Sequence, residues 1–207
     1  MTTILRIDAS ARDTGSVSRG LGDTLERRLV AATPDARVVR RDLVAAPLPH
    51  IAQETIAGYY TPADQMTDAL RRATALSDEL IDELMAADVV IVTVPMYNFS
   101  IPSALKAWID QIVRIGRTFS YDGSGFTGLV GGKKVYVVAA YGAAGYAPGE
   151  PFAAADFLTP YLRFLFGFLG MTDVTVFPVE ATTAAPEVVA ANRERAEQAI
   201  AGALAAA

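Results

Sequence analysis

The chain has 207 residues, of which 52% are apolar and 20% charged, so it is long enough for one sizeable core and too apolar for disorder. No cysteine and a single histidine exclude disulfide scaffolds, thiolate zinc sites, iron–sulfur clusters and cysteine nucleophiles, and leave little metal chemistry. Lys and Arg number 18 against 23 Asp and Glu, a net charge of −5 that is the wrong sign for a nucleic-acid surface.

Thr3–Ala9 is short and rich in branched residues and predicts a strand, with the polar Ser10–Gly15 as its loop. From Ser16 onward Leu21, Leu25 and Leu29 recur at four-residue intervals, an amphipathic helix ending near Pro34. Arg37–Leu43 predicts a second strand. Val44–Thr61, which holds Pro47, Pro49, His50 and the pair Tyr59-Tyr60, reads as a long connection with a helical turn, and long connections are often functional. Pro62 is placed to open the next helix, which runs to about Ala86 with Met66, Leu70, Ala73, Leu80, Ile81 and Leu84 on one face.

Asp88–Pro95 is almost continuously branched and apolar, as in a strand buried on both faces of a parallel sheet, and is the predicted central strand. The longest apolar run, around Val89–Met96, is far short of the ~18 residues of a membrane span, and Met1–Arg6 has no secretory pattern. The expectation is a cytoplasmic protein with no membrane and no nucleic-acid partner.

Pro102 opens a helix with Leu105, Trp108, Ile109, Ile112 and Val113 at core spacing. Thr118–Tyr121, the glycine-rich Asp122–Gly128 and Leu129-Val130 predict a small β excursion. Lys134–Ala140 predicts a fourth core strand, Thr159–Leu169 a helix, Val174–Val179 a fifth strand and Pro186–Leu204 a closing helix. Such alternation specifies an α/β three-layer sandwich. Five parallel strands fit the flavodoxin-like order 2-1-3-4-5, in a single domain over residues 1–207.

In that architecture ligands bind beyond the carboxyl ends of the strands. Ser10, Arg12, Thr14, Gly15, Ser16 and Ser18 lie where the first strand hands over to a helix, a phosphate cradle without a Walker lysine. The same serines suit ordinary helix capping, which spacing alone favours. Pro95–Pro102 places Met96, Tyr97 and Phe99 at the end of the central strand, able to wall a planar ring while Asn98 and backbone N–H groups reach its edge. Packing under a loop or a subunit interface would use them equally well. The glycine-rich Ala140–Gly149 allows close backbone approach to a ligand or a flexible excursion. His50 reads as a structural or surface residue, since no Ser or Cys partner lies near it in sequence.

Taken together, Asp8-Ala9-Ser10, Ser16-Val17-Ser18, the block Pro95–Pro102 followed by Leu105-Lys106 and Trp108, Thr118-Phe119 with Tyr121, Gly132–Lys134, Thr159–Leu162 and Phe166–Gly170 resemble the FMN-dependent NADH:quinone oxidoreductase and azoreductase family over nearly the whole chain. The resemblance implies a homodimer with one FMN per subunit and an active site at the subunit interface. It implies that Ser10, Ser16, Val17 and Ser18 hold the phosphate and ribityl chain. Met96, Tyr97, Asn98 and Phe99 would cradle the ring, and Tyr141 and Gly142 would approach its pyrimidine side. Where the family commonly has Ser/Thr-Arg-Gly-Gly this chain has Ala140-Tyr141-Gly142-Ala143, so the arginine and a hydroxyl are missing.

By the same resemblance the reaction is ping-pong transfer of two electrons from NADH or NADPH to a quinone or azo acceptor through flavin N5, with no protein acid or base and no metal. Phe119, Tyr121 and Phe166 are the expected walls of the substrate slot, Phe119 and Tyr121 from across the interface. A flavodoxin-type electron carrier is the alternative, and a flavin-free dimeric binding protein is a third reading, resting on Ala140–Ala143.

Overall fold

In the computed structural model, which describes residues 1–205, branched residues form five parallel strands: β1 (Thr3–Asp8), β2 (Arg37–Asp42), β3 (Val89–Pro95), β6 (Lys134–Ala140) and β7 (Asp173–Val179). A separate antiparallel pair, β4 (Phe119–Tyr121) and β5 (Phe126–Gly128), makes the predicted excursion. The sheet order is β2-β1-β3-β6-β7, the flavodoxin-like order, with β3 in the middle.

The period of two along each strand sends alternate side chains to two cores. Leu5, Ile7, Val90, Val92, Val94, Val135 and Val137 pack with Leu80, Ile81 and Leu84 of α3 (Asp68–Ala86), Trp108 and Ile112 of α4 (Ser103–Ile112), and Leu162 and Phe166 of α5 (Thr159–Phe168). Ile4, Ile91, Tyr136, Val138 and Ala140 face the other way, onto Leu21 and Leu25 of α1 (Val17–Ala32) and Ala196 and Ile200 of α6 (Pro186–Ala205). On this second face the apolar pattern of β1 breaks. Arg6 and Asp8 follow Ile4 in the same row, both under 7% exposed, and Thr93 of β3 stands beside them.

Two expectations in the first half of the chain need correction. Residues 44–61 contain α2 (Gln53–Tyr60), a two-turn helix whose buried residues are Thr55 and Gly58. A Cβ on Gly58 would lie 2.5 Å from Thr74 Cγ2, so α2 seats on α3 through small and polar residues and carries little apolar periodicity. Pro62 does not open α3. One 3₁₀ turn (Ala63–Gln65) intervenes, and Thr67 caps the helix by accepting the Leu70 N–H, which leaves Met66 outside it. No helix among the described residues is long and apolar enough to cross a membrane.

Candidate cofactor site

The loops after β1, β3, β6 and β7 enclose a cavity of about 240 Å³. It is lined by Ser10, Arg12, Gly15, Ser16, Val17 and Ser18, by Pro95, Met96 and Tyr97, by Ala140 and Gly142, and by Thr182 and Thr183. Seven of the predicted cofactor residues are therefore brought together: Ser10, Ser16, Val17, Ser18, Met96, Tyr97 and Gly142. Thr182 and Thr183 escaped the sequence reading. The rule about strand ends applies to β7 as much as to its neighbours, but two threonines in an alanine-rich stretch give no signal of their own.

One end of the cavity is a cradle for an anion. Ser16 caps α1 from an extended conformation, accepting the Arg19 N–H, and its hydroxyl lies 3.3 Å from that of Ser18. Helix geometry leaves the N–H groups of Val17 and Ser18 without intrahelical acceptors, and the helix dipole adds positive potential there. Ser10 Oγ accepts the Arg12 N–H at 3.2 Å, so its own proton is free to be donated. Gly15 turns the chain at φ +66°, with open space where a side chain would stand. Capping and anion binding are thus the same geometry, and the two readings of these serines do not compete.

Beneath the cradle the buried row of β1 is a charge network. Arg6 donates to Asp8, Asp23 and Glu26, and Thr93 Oγ1 donates to Asp8 at 2.6 Å. Burial opposes the Arg6 charge, but Asp8 and Asp23 outweigh it and hold its pKa above the ordinary value. Arg19, in the first turn of α1, grips Asp42 with both terminal nitrogens at 2.5 and 2.9 Å.

The other end is a platform. Tyr97 and Ser100 exchange both backbone hydrogen bonds, at 3.0 and 3.1 Å, around a two-residue turn in which Asn98 (φ +50°) and Phe99 (φ +71°) are left-handed. Asparagine tolerates that region; a bulky phenylalanine does so only under constraint. Tyr97 and Phe99 are 38% and 53% exposed, and the Tyr97 hydroxyl accepts the Ala11 N–H across the cavity mouth. A groove of about 580 Å³ continues from this turn, between Ser100, Ile101, Phe157, Tyr161 and the α4 residues Ser103, Lys106 and Asp110, with His50 at its wall.

Four expected residues stand elsewhere. The Tyr141 side chain points away from the cavity, 2% exposed, with its hydroxyl 2.6 Å from Thr159 Oγ1 and donating to Asp156. Burial pushes its phenol well above the ordinary range, and the Asp156 carboxylate adds to this. The period of two explains it: Ala140 faces α1 and α6, so Tyr141 must face the opposite core, and only backbone at 141 can approach a ligand here. Phe166 is 1% exposed and packed in the core, because it falls on the buried face of α5, so it is a packing residue and not a slot wall. Phe119 and the exposed Tyr121 sit on the β4–β5 hairpin in an aromatic cluster with Phe126 and with Phe168 of α5. Among the described residues no group of three or more His, Asp or Glu side chains is placed to hold a metal ion.

A phosphate monoester on a polyol fits the cradle and the small cavity behind it. The cavity is smaller than the ~300 Å³ at which drug-sized pockets begin, and the exposed aromatic side chains of the Met96–Phe99 turn adjoin it. The donor set and the aromatic faces suit FMN.

A family described as having a flavodoxin-like fold matches residues 2–204. A protein of Xanthobacter autotrophicus named FMN-dependent NADH:quinone oxidoreductase is 59% identical over 176 residues, 85% of either chain. A protein of Trichormus variabilis named FMN-dependent NADH:quinone oxidoreductase 2 is 44% identical over 99% of either chain. The crystal structure of an azoreductase from Bacillus anthracis superimposes with a TM-score of 0.85 at 29% identity, covering 97% of this chain and 99% of that one. With strand order, cradle and platform in agreement, the chain belongs to the flavodoxin-like family and, within it, to the FMN-dependent NADH:quinone oxidoreductases.

Proposed function

We propose that the protein is an FMN-dependent oxidoreductase that passes two electrons from NADH or NADPH to a quinone or an aromatic azo compound in ping-pong order. The observation that carries this is the union, in one site, of an anion cradle with a strained, exposed aromatic platform. Bound FMN would supply the redox chemistry, taking hydride at N5 and returning it to the acceptor. The chain's residues supply binding and orientation. Ser10, Ser16, Ser18 and the N–H groups of Val17 and Ser18 hold the phosphate, and Met96, Tyr97, Asn98 and Phe99 support the ring.

Thr182 and Thr183 fix the loop after β6. Each donates both its N–H and its hydroxyl to one carbonyl, Thr182 to Tyr141 and Thr183 to Gly142, at 2.9–3.2 Å. With those carbonyls held, the Gly142 N–H faces the other way and serves as a donor to the ring edge. The role of the protein is stacking, water exclusion and edge hydrogen bonding, with no side chain among the described residues of the cavity acting as a catalytic acid or base. The exposed Phe99, Phe157 and Tyr121 support a homodimer, in which the partner's surface closes the slot over the platform. We place the enzyme in the cytoplasm.

An anaerobic visible spectrum of FMN-loaded, desalted protein before and after a slight excess of NADH tests the reading. Flavin absorbance that is retained and bleaches within seconds is the expected result, followed by parallel double-reciprocal lines with a quinone acceptor. Retained flavin that neither NADH nor NADPH bleaches would make the protein an electron carrier, and protein that stays colourless would remove the cofactor altogether.

A further inference from the structure

We infer that Arg19 is the positioning residue of the phosphate cradle: it sets the Ser10 peptide and neutralises the carboxylates behind the Ser10 loop, without touching the flavin. The inference rests on the FMN reading above and deepens it.

Arg19 occupies a place where a cation weakens its own helix, the first turn of α1. It is nonetheless tied into three elements. Both terminal nitrogens engage Asp42 at the end of β2; Nη2 also donates to the Ser10 carbonyl at 2.8 Å, and Nη1 lies 3.9 Å from Asp8. Its own backbone carbonyl accepts from Arg6 Nη2 at 3.2 Å. Its Nε is buried without an acceptor, so the side chain is not arranged to satisfy itself.

Two consequences follow from chemistry alone. A peptide is planar with C=O and N–H opposed, so gripping the Ser10 carbonyl from below turns the following Ala11 N–H outward, where it meets the Tyr97 hydroxyl at the cavity mouth. Arg19 therefore fixes the orientation of the loop that presents Ser10. The second consequence is electrostatic. Asp8 and Asp42 face Arg19 behind the loop that carries Ser10, next to a site that on the FMN reading takes a dianion, and without Arg19 the Asp42 carboxylate would keep only the Val44 and Ala45 N–H groups and no countercharge. The Asp42 carboxyl is held well below the usual range chiefly by its bonds to Arg19, so it remains an anion that must be neutralised. Arg12 lines the cavity but is exposed and its side chain makes no ion pair or hydrogen bond within the described residues, so the countercharge to Asp42 is Arg19.

The prediction is specific to the phosphate. Arg19→Met should raise the dissociation constant for FMN by roughly tenfold to a hundredfold, the range for losing one charge-assisted contact, while riboflavin, which lacks the phosphate, changes by less than about twofold. Arg19→Lys keeps the charge but cannot span Asp42 and Ser10 together, so it should lose FMN affinity by about tenfold with the same sparing of riboflavin. It also carries the test should the methionine variant fail to fold. Titration of the apoprotein by flavin fluorescence quenching reads both ligands. Unchanged FMN affinity in the folded variants, or equal weakening of FMN and riboflavin, would overturn the inference. A wild-type protein that binds neither ligand would instead overturn the FMN reading itself.

Discussion

The loops that leave β1 and β3 begin on hydrogen-bonded neighbours and serve one site, yet they are built on opposite plans. The β1 loop is held by charge. Its serines and peptides are fixed by Arg19, by the Ser16 cap and by the paired row of Arg6 and Asp8 below, and its one left-handed residue is a glycine. The β3 loop has no ion pair; it is closed by backbone hydrogen bonds between Tyr97 and Ser100 and from the Phe157 N–H to the Phe99 carbonyl, and it keeps Asn98 and Phe99 consecutively left-handed in order to present exposed rings. The difference follows from what each must recognise. A phosphate is met by directed donors, which must already point the right way, whereas a planar ring is met by a face, and presenting a face costs backbone strain.

The firm side should break hardest at its base. A Cβ on Gly22 would lie 2.4 Å from the buried Thr93 Cγ2 and 3.2 Å from Arg6 Nη2, because α1 approaches β3 through that glycine. Gly22→Ala should therefore cost about 1 to 3 kcal/mol, read as a lowered urea midpoint with an unchanged slope. Retention of the wild-type midpoint would mean that the charge row is loose enough to yield.

A smaller effect separates side chain from backbone at the end of β6. Tyr141→Phe removes the hydroxyl contacts to Thr159 and Asp156 and should cost about 1 to 2 kcal/mol while sparing FMN affinity, since the side chain faces away from the cavity. The pH dependence has a definite sign. The folded-state pKa is raised, so this contribution is complete below the ordinary phenol value of about 10 and is lost as pH rises beyond it. The phenylalanine variant should lose that part of the alkaline destabilisation. A drop in FMN affinity without a drop in stability would place the ring in the site after all.

How much of this was legible in the sequence depended on which force shaped each part. Val89–Pro95 and the leucines of α1 declared themselves because burial imposes a period. The α2 helix did not, because Thr55 and Gly58 make its contact through close approach instead of apolar area. Ser10, Ser16 and Ser18 were visible as a cluster, yet only the resemblance turned a capping pattern into a phosphate site. At Tyr141 the expected approach to the ring is left to the backbone, because the side chain turns away from the cavity. Alternation along β6 decides which way it points, and with Ala140 on one core it had to join the other. Arg6 and Arg19 gave no distinct signal, since a charged residue inside a strand or a helix looks solvent-facing until Asp23 and Glu26 of α1 are folded against the one and Asp42 of β2 against the other.

The compliant loop offers the smallest and most telling effect. A left-handed phenylalanine costs about 1 to 3 kcal/mol, and glycine gives up about 0.5 to 1 kcal/mol more chain entropy on folding, so Phe99→Gly should on balance stabilise the apoprotein by about 1 kcal/mol. Asn98→Gly, at a residue type that tolerates this backbone, should change stability by only a few tenths of a kcal/mol. Thermal unfolding of the two variants side by side reads the difference, and quinone turnover reads its purpose. If Phe99 is kept strained for the ring face it offers, its glycine variant gains stability and loses turnover together, whereas Asn98→Gly leaves stability nearly flat. Equal melting shifts at the two positions would mean that the turn is unstrained, and the contrast between a loop held by pairing and a loop held open by strain would then fail at its second half.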